Sequence, residues 1–296
     1  MPTRSLRIIP DPHAGLPRQD TNLGLWFQKF YNSQVIEPRR AFIDSITKLP
    51  KQVDPLYKSF YNGWVKLLKE IDALTETAKT SGRMVVNLGA DSVTEVSIAL
   101  HHTYGVPYIP GTALKGLAAH YANSNMGTAW KKGTDAYKAI FGTGKTAGYV
   151  TFHDALFVPE QANPQPLQKD TVTGHHQNYN KGKNVPPADW DSPTIIPFIS
   201  VHGKFLIAIS GDEKAKSVAM EILRLALLNE GIGAKTNSGY GRMEFETHAG
   251  DILQDTHLPT STTAENPEES YDVMKKRFLK EAPPAGWKRG YVRTVM

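Results

Sequence analysis

The chain has no cysteine anywhere in its 296 residues. Disulfides, thiolate metal sites and a cysteine nucleophile are excluded with it. Long apolar runs are missing as well. Nothing approaches the ~20 residues that a membrane-spanning helix needs, and the opening MPTRSLRIIPDPHAGLP holds no apolar stretch of signal-peptide length. A soluble, cytoplasmic protein is expected. Neither charge sign dominates: Lys and Arg number 34 against 29 Asp and Glu, a formal net charge of +5 and a pI near 9.1. This mild basic bias is compatible with a nucleic-acid partner but is far from the density of a histone-like tail. No HExxH and no GxSxG occurs, which removes the zinc-protease signature and the serine-hydrolase elbow.

What the chain does have is a concentration of glycine near its end, in LALLNEGIGAKTNSGYGRMEF. An apolar helix pattern runs into Gly231, Gly233, Gly239 and Gly241, spaced GxGxxxxxGxG, and then into a strand-like run. Such a loop lets the backbone take positive φ and come close to a partner with no side chain in the way. Successive backbone amides flanked by Lys235 and Arg242 suit a phosphate-bearing partner. The order helix–loop–strand is the reverse of the dinucleotide fingerprint and of the Walker loop, so a nucleotide cofactor is not indicated. A glycine-rich hairpin or helix-exit turn is the alternative account of the same residues.

Along the chain, Pro2, Pro10, Pro12 and Pro17 make the first twenty residues an extended arm. A helical zone follows, with a short buried helix over Leu23–Tyr31. From Pro55 the residues Tyr57, Phe60, Tyr61, Trp64, Leu67, Leu68, Ile71 and Leu74 recur at helical spacing, closing at Ser81-Gly82. That stripe reads as core or subunit-contact surface. RMVVNL and VTEVSIALHH read as strands around a turn at Gly89-Ala90-Asp91. YIPGTALKGLAAHYA starts a helix after Pro110-Gly111, with Thr112 as N-cap candidate and an apolar face of Leu114, Leu117, Ala118 and Tyr121. TDAYKAIFG is a second helix ending at Gly142, and GYVTFHDALFV is a strand with Val150 and Phe152 on one face.

Residues 161–190 are rich in Pro, Asn, Lys and His without a period and read as a long protruding loop. PTIIPFISV is an edge strand or irregular hairpin because of Pro193 and Pro197. KFLIAIS is a buried strand, SVAMEILRLALLNE a helix, and MEFE the closing strand. The order from Arg83 is β-α-β-β-α-β, so an α+β, ferredoxin-like or RNA-recognition-motif fold is expected. It spans residues 83–250 with an insertion at about 161–193, after an N-terminal arm and helical extension over 1–82 and before a tail over 251–296. Such a sheet leaves one face free, a familiar RNA platform.

FGTGKT resembles the end of a Walker loop, but the first glycine would fall at Ala139 and both flanks are inverted. Lys145 is left as a surface lysine able to meet phosphate. The pairs His101-His102 and His175-His176 offer one ligand each to any one site, because adjacent strand residues point to opposite faces. Neither a metal nor any other cofactor is indicated. In the loop, His175 and His176 suit base stacking or phosphate, or simple exposure. Asp154 beside His153 reads as a turn residue bonded to local backbone rather than half of a catalytic dyad. Lys115, one turn into its helix, combines with the helix-end amides as a phosphate site, against the alternative of a solvated lysine. Histidine, lysine and tyrosine are abundant enough that single-histidine acid–base RNA cleavage stays open from the residues alone.

Three segments, PGTALKGLAAHYA, FGTGKTAGYVTFHDAL and GIGAKTNSGYGRMEF, resemble the RAMP (repeat-associated mysterious protein) superfamily of CRISPR systems. A fourth, DTVTGHHQNYNKGKNVPPADWDSPTIIPFISV, is similar to the signature of the sixth RAMP subunits of type III-B (Cmr) effector complexes. The likeness covers about Arg83–Glu246, and the glycine loop by itself marks only the superfamily. It implies a RAMP fold with a thumb-like insertion and a C-terminal glycine-rich loop. It also implies a non-catalytic subunit on the guide crRNA near its 3′ end, contributing to antiviral defence.

The implied partners are the crRNA and target RNA, the repeating RAMP backbone subunit, the small helical subunit and the end-capping RAMP subunit. Target cleavage is attributed to aspartates of the repeating subunit. On this reading Lys115, Gly231, Gly233, Lys235, Gly239, Gly241 and Arg242 hold guide phosphates. His175, His176, Tyr179, Lys181 and Lys183 form a thumb that wedges between bases or touches the target strand. Two alternatives stand beside it: a crRNA-processing endoribonuclease of the RAMP class, and an assembly subunit held mainly through the Tyr57–Leu74 stripe.

Overall fold

A computed structural model describes residues 22–29, 31, 36–47, 54–92, 94, 96–159, 166–176, 179, 181–191 and 193–246. The expected N-terminal arm and C-terminal tail lie outside the described residues. Three helices come first: α1 (Leu23–Lys29), α2 (Ile36–Thr47) and α3 (Pro55–Glu70). Then follow β1 (Leu74–Thr80), β2 (Tyr108–Ile109), α4 (Gly111–Asn125), α5 (Asp135–Phe141), β3 (Val150–Phe152) and β4 (Ala155–Phe157). β5 (Leu167–Gly174), β6 (Thr194–Val201), β7 (Lys204–Gly211), α6 (Glu213–Asn229) and β8 (Met243–Phe245) complete the order. The main sheet runs β2-β4-β7-β1-β8, with β3 also on β7, and every pairing is antiparallel. Taking β3 and β4 as one interrupted strand, β1–α4–β3/β4–β7–α6–β8 is the expected ferredoxin-like order, with the β5–β6 ribbon inserted between its second and third strands.

The first strand of that unit is not the expected RMVVNL but LTETAKT. The helical spacing through Ile71 and Leu74 suggests a helix as far as Gly82, yet Asp72 takes φ 52° and ends it after Glu70. β1 then pairs Leu74–Lys79 with Ile209–Lys204 of β7 and Ala78–Thr80 with Phe245–Met243 of β8. Its composition is poor for a strand, and its place between two partners decides the outcome. Glu76, on the helix-facing side of the strand, is held by Arg224 of α6 at 2.5 Å. That charge hides the alternation a strand would otherwise show. Among the described residues of the segments expected as strands, 83–88 and 93–102, the pairings are isolated bridges, Met84 with Val201 and Leu100 with Pro107.

Helix starts follow local chemistry. Pro55 opens α3 behind Asp54, whose carboxylate accepts the Leu56 amide at 2.8 Å. Asp212 caps α6 by accepting the amides of Lys214 and Ala215 at 3.2 and 3.1 Å. α5 starts behind Thr134 and stops at Gly142, whose φ is 75°. α4 differs. Thr112 lies inside the helix and does not cap it, and Pro110 at the cap offers no side-chain acceptor. Asp154, 43 residues downstream, accepts the Gly111 amide at 2.7 Å instead. The expected local turn at Asp154 is therefore a long-range cap, and it explains why the strand breaks at His153-Asp154 into β3 and β4.

One face of the sheet presents Phe205, Ile207 and Ile209 of β7, Ala78 of β1 and Met243 of β8, all buried. α6 packs on it through Ala219, Ile222, Leu223 and Ala226, and α4 lies beside α6. The opposite face is not free. Leu206 and Ala208 pack against Leu68, Tyr61, Trp64 and Val65 of α3, Trp64 meets the His153 ring edge-on, and the Tyr57 hydroxyl donates to the Phe157 carbonyl at 2.5 Å. Part of the aromatic stripe on α3 thus closes the surface expected as an RNA platform.

The loop expected over 161–190 begins with a strand: β5 pairs with β6 from Leu167↔Val201 to Gly174↔Thr194. The ribbon has only one neighbour per strand, so Pro197 opposite Thr171 removes an amide at no cost to a further partner. α2 packs against both its strands, with Lys169 Nζ at 2.5 Å from Asp44 Oδ1. Among the described residues, no helix is long and apolar enough to cross a membrane.

Replacing Asp154 by Ala leaves the Gly111 amide without its acceptor. Loss of about 1–2 kcal/mol is expected in chemical denaturation; an unchanged midpoint would contradict the capping role.

Candidate nucleic-acid interface

The chain leaves α6 through the glycine loop, which is sewn to the segment after β1 by backbone bonds. Gly241 N donates to Arg83 O and Ala234 N to Val85 O, both at 2.8 Å, and Ile232 N closes the loop on Gly241 O at 2.8 Å. These approaches require bare α-carbons at two positions. Gly233 (φ 92°) would drive a Cβ into the Val85 carbonyl, and Gly241 (φ 75°) would drive one into the Ile232 carbonyl. Gly231 and Gly241 are buried, whereas Gly233 and Gly239 are exposed. Gly233 thus needs a bare α-carbon although it is exposed, whereas Gly239 has open space around it.

Between the exposed pair the chain turns outward. Lys235 adopts the left-handed conformation (φ 62°) and starts a single 3₁₀ turn over Thr236–Ser238. That turn uses the amides of Ser238 and Gly239. The amides of Lys235, Thr236 and Asn237 have no acceptor among the described residues, and neither does the Lys235 ammonium. Consecutive amides in a left-handed and then helical backbone form a concave anion-binding surface.

The loop borders an open cleft of about 480 Å³ whose lining includes Gly233, Val86, Asn87, Tyr108, Pro110 and Thr112. The start of α4 and the glycine loop, 120 residues apart by number, thus face one space. Lys115 follows in the next residues of α4, half-buried and without an acceptor among the described residues. The helix start itself is partly occupied, since the Asp154 carboxylate holds the Gly111 amide. The α4 terminus is therefore a weaker anion site than a free helix start would be.

Arg242 is engaged elsewhere. Its guanidinium donates to the carbonyls of Leu228 and Asn229, capping the end of α6.

On the ribbon, His175 and His176 follow β5 with rings 6.0 Å apart. His176 takes φ 57°, and its Nδ1 lies 2.8 Å from Asp191 Oδ2, which also accepts the Ala188 amide at 3.3 Å. The His176 bond, ahead of the Ala188 bond, holds Asp191 below the usual carboxylate range. Tyr179, Lys181 and Lys183 are exposed, as is Trp190 at 87%. Asp191 does not stand out by spacing, because its partnership appears only once the loop is folded back on His176. His153 and Asp154 have different partners: His153 Nε2 lies 2.8 Å from Ser210 Oγ, and burial outweighs Asp154 in lowering its pKa. Burial likewise lowers the pKa of His101. The false Walker loop is a turn in which Thr143 Oγ1 accepts the amides of Lys145 and Thr146 at 3.2 and 3.0 Å.

Ribbon and glycine loop meet through three residues the sequence does not point to. Tyr240 donates its hydroxyl to Asp170 Oδ2 of β5, to which Arg83 Nη1 also lies 3.4 Å away. Burial first, and the Asp170 bond second, push the Tyr240 phenol up to about 12. The three lie 87, 70 and 157 positions apart (Arg83–Asp170, Asp170–Tyr240, Arg83–Tyr240), so no local motif could disclose them.

The model of the RAMP superfamily matches residues 70–244, a span that opens at the end of α3 and ends within β8. The CRISPR system Cmr subunit Cmr6 of Pyrococcus furiosus is 33% identical over 259 residues, covering 68% of this chain and 76% of that protein. Its counterpart from Saccharolobus solfataricus is 26% identical over 202 residues, covering 60% of this chain and 64% of that protein. A chain of the type III-B Cmr-beta complex bound to cognate target RNA, solved by cryo-electron microscopy, shares the fold with a TM-score of 0.58 at 18% identity, over 71% of each chain. The chain belongs to the RAMP superfamily and, within it, to the family of Cmr6 subunits of CRISPR systems.

Proposed function

We propose that this chain is a non-catalytic crRNA-binding backbone subunit of a type III-B CRISPR RNA-targeting complex, seated near the 3′ end of the guide and serving antiviral defence. The observation that carries the reading is the cleft shared by Gly233 of the glycine loop and the start of α4, together with the amides of Lys235, Thr236 and Asn237 and the ammoniums of Lys235 and Lys115 on those same two elements, none with an acceptor among the described residues. A row of amides and two lysines recognises a repeating phosphate and carries no base information. The relatives named as Cmr subunits, and a chain of the same fold in a complex bound to target RNA, support RNA and sister Cmr subunits as partners. The partners on this reading are the guide crRNA and target RNA, the repeating RAMP backbone subunit, the small helical subunit and the end-capping RAMP subunit. The exposed Tyr179, Lys181 and Lys183 then serve the thumb, with His176 shaping the loop through Asp191 rather than touching RNA.

In the Lys115→Ala/Lys235→Ala variant, binding to single-stranded RNA is expected to weaken across sequences. The slope of log affinity against log salt should shrink by roughly 0.7 for each phosphate that is no longer neutralised. Fluorescence anisotropy over a salt series measures both, and a variant with the native slope would contradict the phosphate role.

Chemistry by this chain itself is not expected. His153 is half-buried and bonded to Ser210, and His176 is tied to Asp191. Purified protein incubated with repeat RNA in the absence of metal should leave it intact. Discrete products that vanish on a single histidine substitution would make the chain a processing endoribonuclease instead.

A further inference from the structure

The β5–β6 ribbon runs into β7 through His202 and Gly203 and is tied to the segment after β1 by a pair of backbone bonds. Met84 N donates to Val201 O at 2.8 Å and Val201 N to Met84 O at 2.7 Å. A two-stranded ribbon is marginally stable by itself, so its orientation depends on what braces it farther out. Asp170 lies three residues farther along β5 than Leu167, which pairs with Val201, or ~10 Å at the rise of a strand. There the carboxylate is oriented by the Thr171 amide on Oδ1 at 2.9 Å and accepts the Tyr240 hydroxyl on Oδ2. Arg83 closes the triangle. Its Nη1 donates to the Lys169 carbonyl at 2.7 Å and approaches Asp170 Oδ2, while its own carbonyl accepts the Gly241 amide at 2.8 Å. The Tyr240 ring also lies 6.2 Å from Phe198, the residue opposite Asp170 on β6. On the other side α2 braces the ribbon through Asp44 and Lys169. Only the Tyr240 side of this arrangement belongs to the glycine loop.

We propose that Tyr240, Asp170 and Arg83 form a latch that fixes the angle of the β5–β6 ribbon against the glycine loop, making Tyr240 a positioning residue for RNA rather than an RNA contact. The RNA consequence rests on the function proposed above; the mechanical one does not. Two parts of one polyanion site must be held at a fixed spacing if both are to engage phosphates of the same strand. The latch supplies that spacing directly, because its hydroxyl and carboxylate come from the two parts themselves. The Tyr240 hydroxyl is spent on Asp170, so it is not left to donate to a ligand without the latch opening.

The absence of cysteine makes the test clean, because two introduced thiols are the only ones labelled. Nitroxides placed on the full chain at Thr173→Cys of the ribbon and Asn237→Cys of the glycine loop report their separation by pulsed electron spin resonance. A narrow distance distribution is expected. Tyr240→Phe, which removes one oxygen, should widen it about twofold, Asp170→Asn should widen it less, and the two together should widen it no further than Tyr240→Phe alone. Unchanged distributions in both folded variants would overturn the latch, and Asp170→Asn serves should Tyr240→Phe fail to fold.

A second arm uses a fluorescein-labelled single-stranded RNA of 30 nucleotides as probe. Tyr240→Phe should lower its affinity about 3–10-fold, with no further loss when introduced into Lys181→Ala/Lys183→Ala, since a displaced ribbon and a ribbon without lysines fail in the same way. Additive losses would make Tyr240 a direct contact and overturn the positioning role. If the native chain does not bind the probe while the distances respond as expected, the RNA reading fails and the latch stands.

Discussion

Close backbone approach between the glycine loop and the segment that follows β1 is the constraint on which the rest depends. Gly233 and Gly241 lie where a β-carbon would overlap a carbonyl, and the bonds from Ala234 and Gly241 to Val85 and Arg83 form only across that gap. Once the loop is sewn down, Lys235 is turned outward into a left-handed conformation and the amides that follow it are left uncovered. The same approach brings Arg83 beside the ribbon and Gly233 into the wall shared with α4. Main-chain geometry thus arranges the site before any charged side chain takes part.

Charge enters sparingly. Asp154 places a carboxylate on the first amide of α4, which stabilises the helix but weakens its terminus as an anion site. Arg242 neutralises the carbonyl end of α6. Lys115 on α4 and Lys235 on the glycine loop have no acceptor among the described residues, and the net charge of +5 is modest. Amides and lysines recognise a backbone and leave base identity to other means, as the proposed crRNA-binding role requires.

Much of the fold was legible in the sequence because its signals are local. Thr134 and Gly142 bracket α5, Phe205, Ile207 and Ile209 mark β7 as buried, and Pro197 confines β6 to a two-stranded ribbon. The failures share a cause, which is that the deciding partner is distant. Leu74–Thr80 has the composition of a helix end or loop and becomes a strand because β7 and β8 lie on either side of it. The second sheet face is filled by α3, whose stripe could not say which surface it would cover. At the site, the glycines and Lys115 were visible as motifs. The capping of Gly111 by Asp154, the tie between His176 and Asp191, and the Tyr240–Asp170–Arg83 triangle all join residues whose types are common and whose spacing is arbitrary.

Amide hydrogen exchange resolved to single residues tests the central claim most directly, because the claim concerns named backbone groups. In the free chain Lys235, Thr236 and Asn237 should exchange rapidly, and adding single-stranded RNA should slow all three while leaving the already bonded amides of Ala234 and Gly241 nearly unchanged. RNA that binds but slows exchange on some other surface, with these three amides still exchanging at their free rates, would contradict the account.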